Sequence, residues 1–205
     1  MKFNKEVELV DSCMGSSKTT NILKWIDANP NERYIYVSPL LDEVEEGGRI
    51  HKDLKSVVFE SPNNLKGTKG EHFLELLKDG CNIACTHNLY LQTTDEHLNL
   101  IAQKGYIVIV DEELDVIGGF DKYSNNDLLW LLRKGDITIS DTDGMVQWIG
   151  DEDLVNKHHK YYLFMQYCKS KALYSTKRSS TMMVTQLPIK LFEVAKRTIV
   201  MTYIS

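Results

Sequence analysis

Apolar residues along this chain fall into short continuous runs separated by stretches of helical spacing. Val7 to Val10 is such a run and ends at Asp11. Small and polar residues continue to Thr20, after which Ile22, Leu23, Trp25 and Ile26 predict a helix. Asn29-Pro30-Asn31 stops that helix, and the β-branched and aromatic run Tyr34 to Val37 predicts a second strand bounded by Ser38-Pro39. Leu40 to Ile50 is acidic and partly helical before Gly47-Gly48, and Val57 to Phe59 is a third strand. Phe73, Leu74 and Leu77 predict a helix over 71–78 that Gly80 ends. Asn82 to Cys85 is the next strand. Thr94-Asp95 caps a helix carrying Leu98, Leu100 and Ile101, which Gly105 terminates. Tyr106 to Val110 is apolar throughout and runs into Asp111-Glu112-Glu113; nearly continuous apolar strands of this kind belong to a sheet covered on both faces.

Beyond Gly119 the pattern predicts a helix over 127–133, a hairpin of 137–140 and 145–149 turning at Asp143-Gly144, and a long helix over 151–168. A strand over 179–185, a helix over 188–196 and a final apolar strand over 198–203 follow. The alternation predicts an α/β fold: a mainly parallel, doubly wound sheet with helices on both faces. It forms a single domain over 1–205, with 119–185 as an insertion before the last strand.

The composition, 205 residues at 42% hydrophobic and 26% charged with 12 Gly, excludes disordered and collagenous chains. No apolar run approaches the ~20 residues of a membrane-spanning helix. The charged first ten residues do not read as a secretory signal, so a cytoplasmic protein is expected. Four scattered cysteines are expected to be free thiols, and Cys81, Cys85 and His87 lack the further ligand that a metal cluster would need. Net charge is −5, but it is unevenly spread. Residues 1–153 hold 15 Lys and Arg against 28 Asp and Glu, whereas 154–205 hold 9 against 1.

Two segments carry chemistry. Ser12-Cys-Met14-Gly15-Ser16-Ser17-Lys18-Thr19-Thr20 lies between the first strand and the first helix. There, backbone N–H groups, a lysine and a hydroxyl can together hold a polyphosphate and its Mg²⁺. Against G-x-x-x-x-G-K-[ST], Ser12 and Ser17 replace the two glycines; an ordinary Ser/Thr-rich helix cap is the competing reading. Ile107 to Glu112 is a buried strand that delivers Asp111 to a metal shell and Glu112 to an attacking water. Acids at a helix start are the alternative here.

With these residues in order, the chain resembles the first RecA-like domain of a superfamily-two helicase of the DEAD/DEAH-box-like type often encoded by bacteriophages. Ser12 to Thr19 is similar to motif I, and Tyr36-Val-Ser38-Pro39-Leu40 to motif Ia. Ala84-Cys-Thr86-His87-Asn-Leu-Tyr90 resembles the Thr-His segment after the fourth strand, Asp111-Glu-Glu-Leu114 motif II, and Val200-Met201-Thr202-Tyr203 motif III. The resemblance implies ATP and Mg²⁺ as ligands and assigns them to these residues. Lys18 and the amides of Met14 to Thr20 would hold the phosphates, Thr19 and Asp111 the Mg²⁺ shell, and Glu112 the water. Thr202 would couple nucleotide state to a nucleic-acid site that includes Ser38, Pro39, Thr86 and His87. For Thr202 strand packing is an equal alternative, and for His87 a hydrogen-bonded histidine at a strand end is the preferred reading. The family's adenine-reading motif has no counterpart in this sequence.

From Leu154 to Phe192 there is no acidic residue, and lysines alternate with aromatic residues. Lys169, Lys171, Lys177 and Arg178 are the candidate phosphate contacts, with a solvated basic face as the competing reading. For Tyr161, Phe164 and Tyr167, helical spacing favours core packing over base stacking. The expectation is an ATP-hydrolysing motor domain acting on nucleic acid, DNA ahead of RNA, in phage replication or recombination. Its arginine finger would come from a second RecA-like domain or partner subunit, absent from this stretch. The alternatives are a noncatalytic P-loop module that docks on nucleic acid or a replication protein, and a terminase-like packaging ATPase.

Overall fold

A computed structural model describes residues 7–12, 17–65, 67–112, 117–176, 179–188 and 190–203. The chain divides into two compact units, Met1–Leu114 with Ile189–Ser205, and Asp115–Pro188.

The first unit follows the alternation of the sequence. Its elements are β1 (Val7–Ser12), α1 (Lys18–Ala28), β2 (Arg33–Ser38), α2 (Leu41–Val44), α3 (Arg49–Asp53) and β3 (Phe59–Glu60). They continue with α4 (Lys69–Asp79), β4 (Asn82–Thr86), α5 (His87–Tyr90), α6 (Asp95–Lys104) and β5 (Tyr106–Asp111). After the second unit come α9 (Lys190–Glu193) and β11 (Arg197–Tyr203). The strands form one six-stranded sheet in the order β1-β11-β5-β2-β4-β3, and every neighbouring pair is parallel. Side chains alternate faces along a strand, and in β2 and β5 both sets are buried. Tyr34, Tyr36, Ile107 and Ile109 join Leu23 and Ile26 of α1 in one core cluster, while Ile35, Val37, Val108 and Val110 are buried on the other face. The fold is therefore α/β, with a parallel sheet flanked by helices, and is compatible with a P-loop-like architecture.

The second unit contains β6 (Ile117–Gly119), α7 (Asn125–Lys134), β7 (Ile137–Ile139), β8 (Val146–Trp148), α8 (Tyr162–Lys169), β9 (Leu173–Thr176) and β10 (Ser179–Gln186). β6, β10 and β9 form an antiparallel sheet, and β7 and β8 form the expected hairpin. Its core is aromatic: Phe120 lies 5.8 Å from Phe164 and 5.1 Å from Tyr167, ring centre to ring centre. Tyr161, Phe164 and Tyr167 all belong to this core, as their spacing suggested.

Two expectations need correction. The helix predicted over 151–168 is confined to α8, and 151–161 is a series of turns. Asp151 Oδ1 accepts from the Asp153 amide and Asn156 Oδ1 from the His158 amide, each at 3.0 Å. Such side-chain acceptors give the backbone an alternative to the helical ladder. The helix predicted over 188–196 shortens to α9. Among the described residues no helix is long and apolar enough to cross a membrane.

Candidate functional site

Because all six strands run the same way, their carboxyl ends share one edge of the sheet, where ligands bind in open parallel sheets. Ser12, Ser38, Thr86, Asp111 and Thr202 all come to that edge. β11 lies between β1 and β5, so Thr202 pairs with Asp11, and Met201 with Asp111.

The chain enters α1 through Ser17, whose φ of 60° and ψ of 29° are left-handed and whose side chain makes no capping hydrogen bond. A serine acting as an ordinary cap would hold extended backbone and accept from an amide of the first turn. Thr68 and Ser124 do so ahead of α4 and α7, each in a reciprocal capping box. Ser17 instead takes the backbone conformation that glycine favours, at the place where the phosphate-loop pattern has glycine. Cys13, Met14, Gly15 and Ser16 lie outside the described residues.

Lys18, Thr19 and Asp111 converge. The Lys18 side chain is 9% exposed, and its ammonium donates to the backbone carbonyl of Thr202. Thr19 Oγ1 donates to Asp111 Oδ2 at 3.4 Å, across 92 residues of sequence. The phenol of Tyr36 donates to the same oxygen at 2.5 Å. Asp111 is 4% exposed. A buried cation beside a hydroxyl and a carboxylate is the donor set that a Mg²⁺–polyphosphate takes, since Mg²⁺ prefers hard oxygen ligands and phosphate oxygens prefer a lysine. The residues present fit that group.

Glu112, half-buried, follows with a left-handed φ of 64°, uncommon for a residue with a Cβ. The peptide before it is held by His87, whose Nε2–H donates to the Asp111 carbonyl at 2.9 Å. His87 thus reaches Asp111 from the start of α5, past the end of β2. Thr86 caps α5 by accepting from the Leu89 amide at 3.3 Å, and it borders a cleft of about 260 Å³ together with Ser61, Asn63 and Lys69.

A second set of side chains joins the loop after β2 to α1. Ser38, fully buried, donates to Glu43 at 2.7 Å. Glu43 lies 3.8 Å from Arg49, and Arg49 donates to Thr20 Oγ1 at 3.4 Å and to Asp53 at 3.2 Å. Pro39 is exposed. Sequence reading gave no role to Tyr36, Glu43 or Arg49. Tyr36 resembles any buried strand aromatic, and the acids and Arg49 sit in a segment without a motif.

The basic segment lies in the second unit. Lys169 is ion-paired with Glu152 at 2.6 Å, and Lys160 with Asp127 at 2.5 Å, so acids from earlier in the chain answer part of its charge. Lys171 is exposed in a left-handed conformation, while Lys177 and Arg178 lie outside the described residues.

No protein-family model and no solved structure matches the chain. It is similar to the SPbeta prophage-derived uncharacterized protein YonV of Bacillus subtilis (strain 168), with 29% identity over 98% of this chain. The chain spans about half the length of that relative, 49%. The similarity to a prophage protein supports a phage origin.

Proposed function

We propose that the first unit is an ATP-binding and ATP-hydrolysing domain of RecA-like type, from a phage helicase or translocase that acts on nucleic acid. The observation that carries the reading is the meeting of Thr19 with Asp111 beside buried Lys18, at the carboxyl edge of a parallel sheet. In P-loop enzymes these three residue types play fixed parts: lysine on the outer phosphates, and hydroxyl and aspartate on the cation.

A bound Mg²⁺–ATP would supply the phosphoryl group and the charge that draws these residues together. Lys18 neutralises phosphate oxygens with an ammonium already held at the mouth of β11 by the Thr202 carbonyl. Thr19 and Asp111 offer oxygens to the cation. Glu112, next along the chain, orients water, and the hydrogen bond from His87 fixes the peptide that aims it. The same carbonyl contact ties Thr202 to the lysine, which supports a coupling role through the backbone of β11. Pro39, exposed, and Thr86 stand along the edge that a nucleic acid would follow, while Ser38, buried on Glu43, would act through the loop it holds; in the second unit, exposed Lys171 would offer a phosphate contact of its own.

Two variants test this. Lys18→Ala should weaken ATP binding about ten- to a hundredfold, as expected for losing a charged hydrogen-bond donor. Glu112→Gln should keep ATP binding yet slow hydrolysis about a hundredfold or more. A chain that shows no hydrolysis in any form, and binds nucleic acid equally with either substitution, would instead be the noncatalytic docking module; the serines in the glycine positions keep that second reading in view.

A further inference from the structure

Tyr36 stands where an apolar side chain would satisfy the fold. It lies inside β2, buried from Tyr34 to Ser38, is 0% exposed, and shares the core beneath α1 with Tyr34, Ile107 and Ile109. A phenylalanine would fill the same space, whereas a buried phenol must also find a partner. Tyr34, two residues earlier on the same face, places its hydroxyl on the Asn29 carbonyl at 2.8 Å. Tyr36 places its hydroxyl on the Asp111 carboxylate.

The sheet register explains the reach. Tyr36 pairs with Ile109, so Asp111 stands two residues further along β5, about 6.6 Å at the rise of a strand. A tyrosine side chain covers that span; serine or threonine would fall short of it. Two donors meet Asp111 Oδ2, and the phenol at 2.5 Å is much closer than Thr19 at 3.4 Å. The hydroxyl is the donor of this hydrogen bond, since a carboxylate oxygen can only accept. If Thr19 turns its hydroxyl to a cation, Asp111 keeps one strong partner from β2.

We propose that Tyr36 is a positioning residue for the nucleotide site, its hydroxyl holding the Asp111 carboxylate in the orientation that receives the Mg²⁺ of a bound nucleotide. This rests on the nucleotide-site reading above. With Oδ2 anchored in the core, cation affinity depends on a residue that touches neither metal nor phosphate.

The test uses the full chain and Tyr36→Phe, which keeps the ring. Mg²⁺ is titrated at a fixed concentration of fluorescent ADP and binding is followed by anisotropy, with EDTA as the metal-free baseline. The Mg²⁺ midpoint should rise about ten- to a hundredfold, the range for losing a partner that orients a metal ligand, while binding in EDTA stays the same. Asp111→Asn supplies the second variant: in that background, adding Tyr36→Phe should change the Mg²⁺ response no further. An unshifted midpoint, or an independent loss in the Asp111→Asn background, overturns the role of Tyr36. A native chain that binds ADP with no Mg²⁺ dependence, or not at all, overturns the nucleotide reading and the tyrosine's role with it.

Discussion

Ser17 and Glu112 hold left-handed backbone on the two sides of the site, at φ 60° and 64°. Neither is glycine, and each carries the clash between Cβ and the following carbonyl that makes this region costly. Residues kept in such conformations concentrate where a backbone must present groups in a set direction. At Ser17 the direction is that of the amides entering α1; at Glu112 it is the turn that carries an acid away from the end of β5. Ser17→Gly should therefore stabilise the protein by about 1 kcal/mol, the relief of strain exceeding the added freedom of the unfolded chain. Urea unfolding at neutral pH measures it. A fall in stability would show that the serine hydroxyl supports the entry to α1, which would restore the reading of an ordinary cap.

α4 and α6 begin with threonines that anchor their first turns, and His97 joins the two helices. His97 Nδ1 accepts from the Thr94 amide at 3.4 Å, and Nε2 donates to the Gly70 carbonyl at 3.2 Å. Only the neutral imidazole can do both, and burial pushes its pKa down from 6.5. The sign follows from linkage: the folded state holds the proton less readily than the unfolded chain does. The stability contributed is complete above pH 6.5 and is lost as pH falls toward and through the lowered value. His97→Gln keeps a side chain suited to the third position of a capping box. It should flatten the decline in thermal midpoint between pH 7.5 and pH 5.5 (about two pH steps around the usual histidine range). An equally steep decline in that variant would place the pH sensitivity elsewhere. The strands were legible in the sequence because β1, β2, β4, β5 and β11 are short apolar runs flanked by breakers; in β2 and β5 both faces are buried, which leaves little else for such runs to do, whereas β1 is exposed and was legible from its run alone. The extent of the helices was less legible, since Asp151 and Asn156 divert backbone amides that composition alone assigns to a helix. Lys18, Thr19 and Asp111 stood out through their order. Tyr36 did not, because its partner is set by the register of β2 on β5, and a single sequence carries no mark of register.

Topology brings the distant segments together. Placing β11 between β1 and β5 sets Thr202 against Lys18, and the run from β1 to α1 sets Thr19 against Asp111, although 92 residues separate them. The second unit enters between β5 and β11 in sequence, while the sheet order within the first unit joins those strands directly. The residues of the proposed nucleotide site thus all belong to the first unit, and the basic segment belongs to the second. A chain built this way should bind one nucleotide through residues of the first unit alone. Calorimetric titration of the intact chain with a non-hydrolysable ATP analogue, with and without Mg²⁺, measures that most directly. One binding site per chain, dependent on Mg²⁺ and removed by either Lys18→Ala or Asp111→Asn with the thermal midpoint preserved, is the predicted result. Absence of binding, or binding that survives both substitutions, would contradict it.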